Sequence, residues 1–176
     1  ELQGRDIYIR EGCNTCHSQM IRPFRSETER YGEYSKAGEF VYDHPFLWGS
    51  KRNGPDLHRI GGKYPDSWHY NHMDDPTSMS PGSLMPAYPW LLDDDLDTSD
   101  TGAKIRAMMK MGVPYPAGFD QVANVHLSNQ SKQIQMNLSK EGIETDANKE
   151  IIAMIAYLQR LGIDIKGQNK VDFTTK

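Results

Sequence analysis

Residues 12–20 read GCNTCHSQM and hold both cysteines of the chain, Cys13 and Cys16, with His17 directly after the second. Two thiols at this spacing can serve as a redox dithiol, clip a metal, close a small disulfide or attach a tetrapyrrole. Each chemistry asks something different of the rest of the chain. A thioredoxin-like dithiol expects a buried strand before the pair and a helix after it. The preceding segment, ELQGRDIYIREG, contains no continuous apolar strand. A structural zinc site needs a second pair of ligands. His69 and His72 could supply one at i, i+3, but the overall spacing is irregular and WHYNHMDD reads as a surface segment with polar residues. A disulfide across so short a loop would contribute little stability.

Cys-x-x-Cys-His is the signature of c-type haem attachment. On a helical turn, positions i, i+3 and i+4 share one face. Cys13, Cys16 and His17 therefore point to one side. The thiols can add to the two vinyl groups of a porphyrin, and the imidazole then reaches the iron from that side. This reading predicts one covalent haem c and a second axial ligand elsewhere in the chain.

A thioether is a soft ligand suited to haem iron. The chain has nine methionines. Met108, Met109 and Met154 lie at helical spacing with apolar neighbours and read as core. Met20 is too close to His17 to reach the opposite haem face. Met73 and Met79 sit in a polar segment. Met85 lies in SPGSLMPAYPWL, between Pro81 and Pro89. Prolines reduce the entropy lost when a loop is ordered, so this loop can present one side chain firmly. The expected iron ligands are His17 and Met85, with Met79 in reserve.

Several segments must position these groups. GPDLHRIGG, residues 54–62, resembles the segment of class I cytochromes c whose proline carbonyl accepts a hydrogen bond from the proximal imidazole. That likeness places Pro55 beside His17. NKEIIAMIAYLQRLG carries Ile151, Met154, Ile155, Leu158 and Leu161 at three- and four-residue steps, an amphipathic helix, with Gly162 as its stop. It resembles the class I C-terminal helix that crosses the N-terminal one, where Gly4 and Tyr8 would meet it. Tyr8 stands one residue farther from Cys13 than in many small cytochromes, and a local loosening at Gly12 would absorb the difference. The expected fold is mainly α, a class I cytochrome c fold with large loop and helical insertions.

Composition agrees. The chain has 176 residues, enough for a single domain; 37% of them are hydrophobic and mean hydropathy is −0.71. So polar a chain gains from a large buried cofactor that binds the native state. A formal net charge of −4 argues against nucleic-acid binding. No apolar run of about 18 residues exists to span a membrane, and no signal-peptide core is visible.

The chain is much longer than a minimal class I cytochrome. One surplus, residues 18–52, is rich in aromatics, glycine and arginine and reads as a long ordered loop, of a length that is usually functional. The other, residues 93–146, carries a helix from Asp100 to Met111 and a second after Phe119, marked by Val122, Val125, Ile134 and Leu138. The acidic run LLDDDLDTSD reads as a solvated approach to a helix, with a docking patch for a basic partner as the alternative.

Taken in order, GRDIYIREGCNTCHSQMIRPFRSETERYGEYSKAGEFVYDHPFLWGSKRNGPDLHRIGGKY and DDPTSMSPGSLMPAYPWL closely resemble the monohaem cytochrome c subunit of cbb3-type cytochrome c oxidases, CcoO or FixO. The resemblance implies a haem c bound through Cys13 and Cys16 with axial ligands His17 and Met85. It implies electron relay toward the haem–copper catalytic subunit, which reduces oxygen, beside a dihaem cytochrome c subunit. It also implies a position on the periplasmic side of the bacterial inner membrane, through an N-terminal anchor absent from this chain. Arg59, Tyr64 and Trp68 become candidates for the haem-propionate side. Saturated ligation would leave this chain no substrate chemistry of its own. A free periplasmic electron shuttle is the nearest alternative, ahead of a peroxidase or a gas sensor. Both of the latter need an open iron position.

Overall fold

The computed structural model describes residues 1–163 as eight α-helices with no strand among them. They are α1 (Leu2–Arg10), α2 (Arg25–Tyr31), α3 (Asp66–Asp74), α4 (Pro76–Met79), α5 (Trp90–Asp93), α6 (Thr101–Lys110), α7 (Phe119–Lys140) and α8 (Glu150–Arg160). None of the described helices is long and apolar enough to cross a membrane.

The core is built around α8. Its apolar run Ile151–Leu158 is buried throughout, not along one stripe as the amphipathic reading expects. The reason is that α1, α3, α5 and α7 all pack on it. The crossing with α1 is the closest. A Cβ on Gly4 would lie 1.8 Å from the carbonyl oxygen of Ala153 and 2.9 Å from Cβ of Tyr157. Only glycine allows the two backbones so near. Tyr8 stands edge-on to Tyr157 at 5.3 Å between ring centroids. At the far end of the crossing the Arg10 guanidinium forks onto Glu150.

The second surplus segment folds as α6 and α7, packed on each other. Ile134 and Leu138 face the core as expected, but Val122 and Val125 face solvent. The inward positions of α7 are instead Ala123, Ser131, Ile134 and Leu138. The acidic run is bound locally. Lys149 reaches the Asp95 carboxylate at 2.7 Å, Asp95 and Lys149 form an isolated antiparallel bridge, and Asp100 accepts from Gln3.

The first surplus segment contains a helix, α2, that its aperiodic sequence does not announce. Its anchor is the nearly buried Glu27, which accepts from the backbone N–H of Arg22 at 2.8 Å, the Arg22 guanidinium, and Arg52 at 2.8 Å. Phe40 stacks on the imidazole of His58, and Phe46 stacks on Trp48 with ring planes 3° apart.

Candidate functional site

Helix α1 stops before the cysteines. Gly12 takes a left-handed conformation (φ 71°), and the chain enters one 3-10 turn, Cys13–Thr15. The backbone N–H groups of Cys16 and His17 both donate to the carbonyl of Cys13. This break supplies the loosening that the position of Tyr8 requires. Cys13 is half-buried against the core and Cys16 is exposed, both as free thiols. Burial, and next the Glu11 carboxylate, push the Cys13 thiol up to about 12. A redox dithiol requires the opposite, a stabilised thiolate.

His17 is held from one side by the segment that follows the long insertion. Its Nδ1 lies 2.8 Å from the Pro55 carbonyl oxygen. A carbonyl only accepts, so Nδ1 carries the proton and Nε2 keeps its lone pair. Nε2 has no hydrogen-bond partner among the described residues. Gly54 makes room for the ring: a Cβ there would lie 2.2 Å from Cε1 of His17 and 2.7 Å from Nδ1. The two segments are laced together. Gly54 N–H donates to the Cys16 carbonyl, Leu57 N–H to that of Ser18, and the Asp56 carboxylate accepts from Ser18 Oγ and the Met20 N–H.

Two further elements face this turn. The loop from Pro81 to Pro89 carries Met85, whose N–H donates to Ser83 Oγ at 3.2 Å. Tyr88 N–H ties the loop back to the Met73 carbonyl at 2.8 Å. Met85, Tyr88, Tyr64 and Cys13 all pack, half-buried, on one core cluster, and Met79 is outside it. Tyr88 lies close enough to Cys13 and Cys16 that both thiols add to the rise of its phenol pKa, after burial. Met73 is a core residue, 7% exposed, contrary to the polar setting its sequence neighbours suggest.

The other element is α3. Tyr64, Trp68 and His72 form a column, with centroid separations of 4.1 Å and 4.5 Å. Burial, and then the neighbouring His17, hold the His72 imidazole below its usual pKa. His69 is 2% exposed, so it is no surface residue. The buried atoms Nε2 of His69 and Nδ1 of His72 have no hydrogen-bond partner among the described residues. Arg59 is turned elsewhere. Its guanidinium grips Glu39 and the carbonyls of Glu33 and Tyr34, and none of its bonds reaches Cys13, Cys16, His17 or Met85.

Over residues 1–165 the chain matches the family described as cytochrome c oxidase, mono-heme subunit/FixO. The chain belongs to this family. No curated protein matches it. FixO proteins are the monohaem cytochrome c subunits of the cbb3-type oxidase complex, which is membrane-associated, and they take part in electron transfer. The residues of this FixO chain fit a haem on three counts. The donor set comprises two thiols, an imidazole with a free Nε2, and a thioether. Gly54 leaves the cradle that the imidazole needs. Two buried imidazole nitrogens on α3 lack partners among the described residues. Sequence reasoning singled out neither Gly54 nor Tyr88, and it set His69 and His72 aside as surface residues. Gly54 and Tyr88 adjoin prolines in the segments it singled out, but nothing in the sequence distinguishes buried histidines from solvated ones.

Proposed function

We propose that this chain holds one haem c through thioether bonds to Cys13 and Cys16, with His17 and Met85 as axial ligands, and that it relays single electrons within the oxidase. The observation that carries the reading is the 2.8 Å contact of His17 Nδ1 with the Pro55 carbonyl. It fixes the tautomer, orients the ring and raises the basicity of Nε2. The bound haem supplies a one-electron iron couple, and a thioether ligand raises its potential relative to a second imidazole.

The chain's own residues prepare the site. Each thiol adds S–H across one vinyl double bond, a balanced addition that needs no oxidant. Gly54 admits the imidazole, Tyr88 shields the thiol side, and the loop bounded by Pro81 and Pro89 delivers Met85. Tyr64, just before α3, and Trp68, in its first turn, are candidates for the propionate edge. The hydrogen bonds of Arg59 support a strut between Glu39 and the end of α8 in place of a propionate contact.

The partners in this reading are the haem–copper catalytic subunit and the dihaem cytochrome c subunit, on the periplasmic side of the inner membrane. Residues 18–52 contribute to the interface, a role supported by the exposed faces of Phe24, Phe46 and Trp48. The whole chain acts as one cytochrome domain, with 93–146 as its added helical segment.

Matured with a c-type assembly system, the protein should keep its haem through acid–acetone extraction and weigh one haem more than the bare chain. Cys13→Ala with Cys16→Ala should release it. Complete extraction of haem from the unaltered protein would overturn the proposal.

A further inference from the structure

Two imidazole nitrogens remain unexplained. His69 is 2% exposed, and its Nε2 is fully buried with no partner among the described residues. The Nδ1 of His72, one helical turn later on α3, is in the same condition. A buried polar atom left unsatisfied loses its hydration without compensation, and native proteins rarely tolerate it. Two on one element point to a missing acceptor or donor shared by both.

The surroundings say where that group lies. α3 turns Asp66 toward Asn137 of α7 and Gln159 of α8, with bonds of 2.9 Å and 2.8 Å, and buries Met73 in the core. In helical angle His69 and His72 follow Met73 on the side away from α7. The carbonyl of Met73, the residue after His72, accepts from Tyr88 N–H at 2.8 Å, so this end of α3 adjoins the loop that carries Met85 and reaches toward the Cys13–Cys16–His17 turn. The ring of His72 is fixed by stacking on Trp68, and that of His69 by edge contacts with Tyr64 and Trp68. The unpartnered nitrogens therefore border the space between α3 and His17, where the proposed function puts the tetrapyrrole. Its carboxylates are the acceptors that an imidazole N–H would satisfy with a charge-assisted bond.

We propose that His69 Nε2 and His72 Nδ1 are hydrogen-bond donors to the haem propionates, and so position the cofactor's edge against α3. This inference rests on the haem assignment above. The remaining nitrogen of each ring is then the unprotonated one, so both imidazoles donate while neutral. The column of Tyr64 and Trp68 serves to lock these two rings, a role for which neither needs its own polar atom on the propionates.

The test compares His69→Phe and His72→Phe with His69→Gln and His72→Gln in the haem-loaded protein. The readout is the propionate bending mode in the resonance Raman spectrum, which reports hydrogen bonding to the carboxylates. Each Phe variant should retain covalent haem and the methionine–iron charge-transfer band, yet shift the mode to lower frequency. The Gln variants keep an N–H donor and should restore part of the shift. The proposal is overturned if the mode stays put in the loaded His72→Phe protein, whose ring preserves the stack on Trp68. If His69→Phe fails to mature, an unshifted mode in His69→Gln together with a shifted one in His69→Leu supports the donor role, and equal modes in both overturn it. Absence of covalent haem from the unaltered protein would instead sink the underlying assignment. A methionine–iron band that emerges only in His72→Phe would show His72 on the iron and overturn the propionate role.

Discussion

The Cα of Gly54 faces the edge of the His17 imidazole so closely that a methyl group there would lie 2.2 Å from Cε1. The contact is with a ring already fixed by its bond to Pro55, so the ring has little room to yield. Gly54→Ala should force the imidazole off the Pro55 carbonyl. Overpacking of this kind costs about 1–3 kcal/mol. The expected result is a lower thermal midpoint and a partial loss of the low-spin spectrum, both read on the purified haem-loaded protein. An unchanged spectrum would mean that the backbone of residues 53–55 moves instead.

Met85 and Met79 make opposite predictions. Met85 packs on the cluster that also receives Cys13 and Tyr88, while Met79 ends α4 away from it. Met85→Ala should abolish the weak charge-transfer band of ferric Met–iron ligation and open the ferrous iron to carbon monoxide. Met85→His should stay closed to carbon monoxide and lower the potential, since imidazole favours ferric iron more than a thioether does. Met79→Ala should change neither property. Reversal of the two alanine phenotypes would transfer the ligand to Met79.

The clamp on Glu27 sets a pH dependence. Arg52, aided by the N–H and guanidinium of Arg22, holds the Glu27 carboxyl down to about 2 from an ordinary 4.5. Because the folded value is the lower one, the stabilisation is complete above 4.5 and is lost as pH falls toward 2. Glu27→Gln should therefore lower the thermal midpoint at neutral pH. The gap between variant and parent should close between pH 4.5 and 2. A gap that persists at pH 2 would assign the effect to packing, not charge.

The α1–α8 crossing tolerates no side chain at Gly4, where a Cβ would sit 1.8 Å from Ala153 O. Gly4→Ala should cost about 2–3 kcal/mol, a drop in midpoint of roughly 4–12 °C for a chain this long. The haem spectrum should remain intact below the transition. A midpoint equal to that of the parent protein would show that the helices separate freely.

Much of this arrangement is legible in the residues. The Cys13–Cys16–His17 spacing, the prolines around Met85 and the apolar steps of α8 each encode a local geometry that neighbours do not override. Other features depend on distant partners. α8 reads as amphipathic, but four other helices surround it, and its nominally outer positions are buried too. Val122 and Val125 look like core markers, yet Ala123 and Ser131 take the inward face because α7 lies close to its neighbours. Arg59 suggests an anion partner in sequence, and Glu39, twenty residues away, provides it. His69 and Met73 sit in a polar string whose periodicity gives no warning of burial; Met73 is covered by the core cluster built around α8, and His69 by the rings of Tyr64 and Trp68.

The pairing of α1 with α8 has a consequence for synthesis. Arg10 and Glu150, which close the crossing, are 140 residues apart. A ribosome makes the N-terminal segment first, so the CNTCH peptide exists well before the helix against which α1 must pack. During that interval the segment has no native platform, and contacts of such separation form slowly. Cys13–His17 is thus presented as open chain, readable by residue order alone. Cys13 gains its packing on the core only once α8 has been made, so until then its thiol stays open to any partner that reads the unfolded segment.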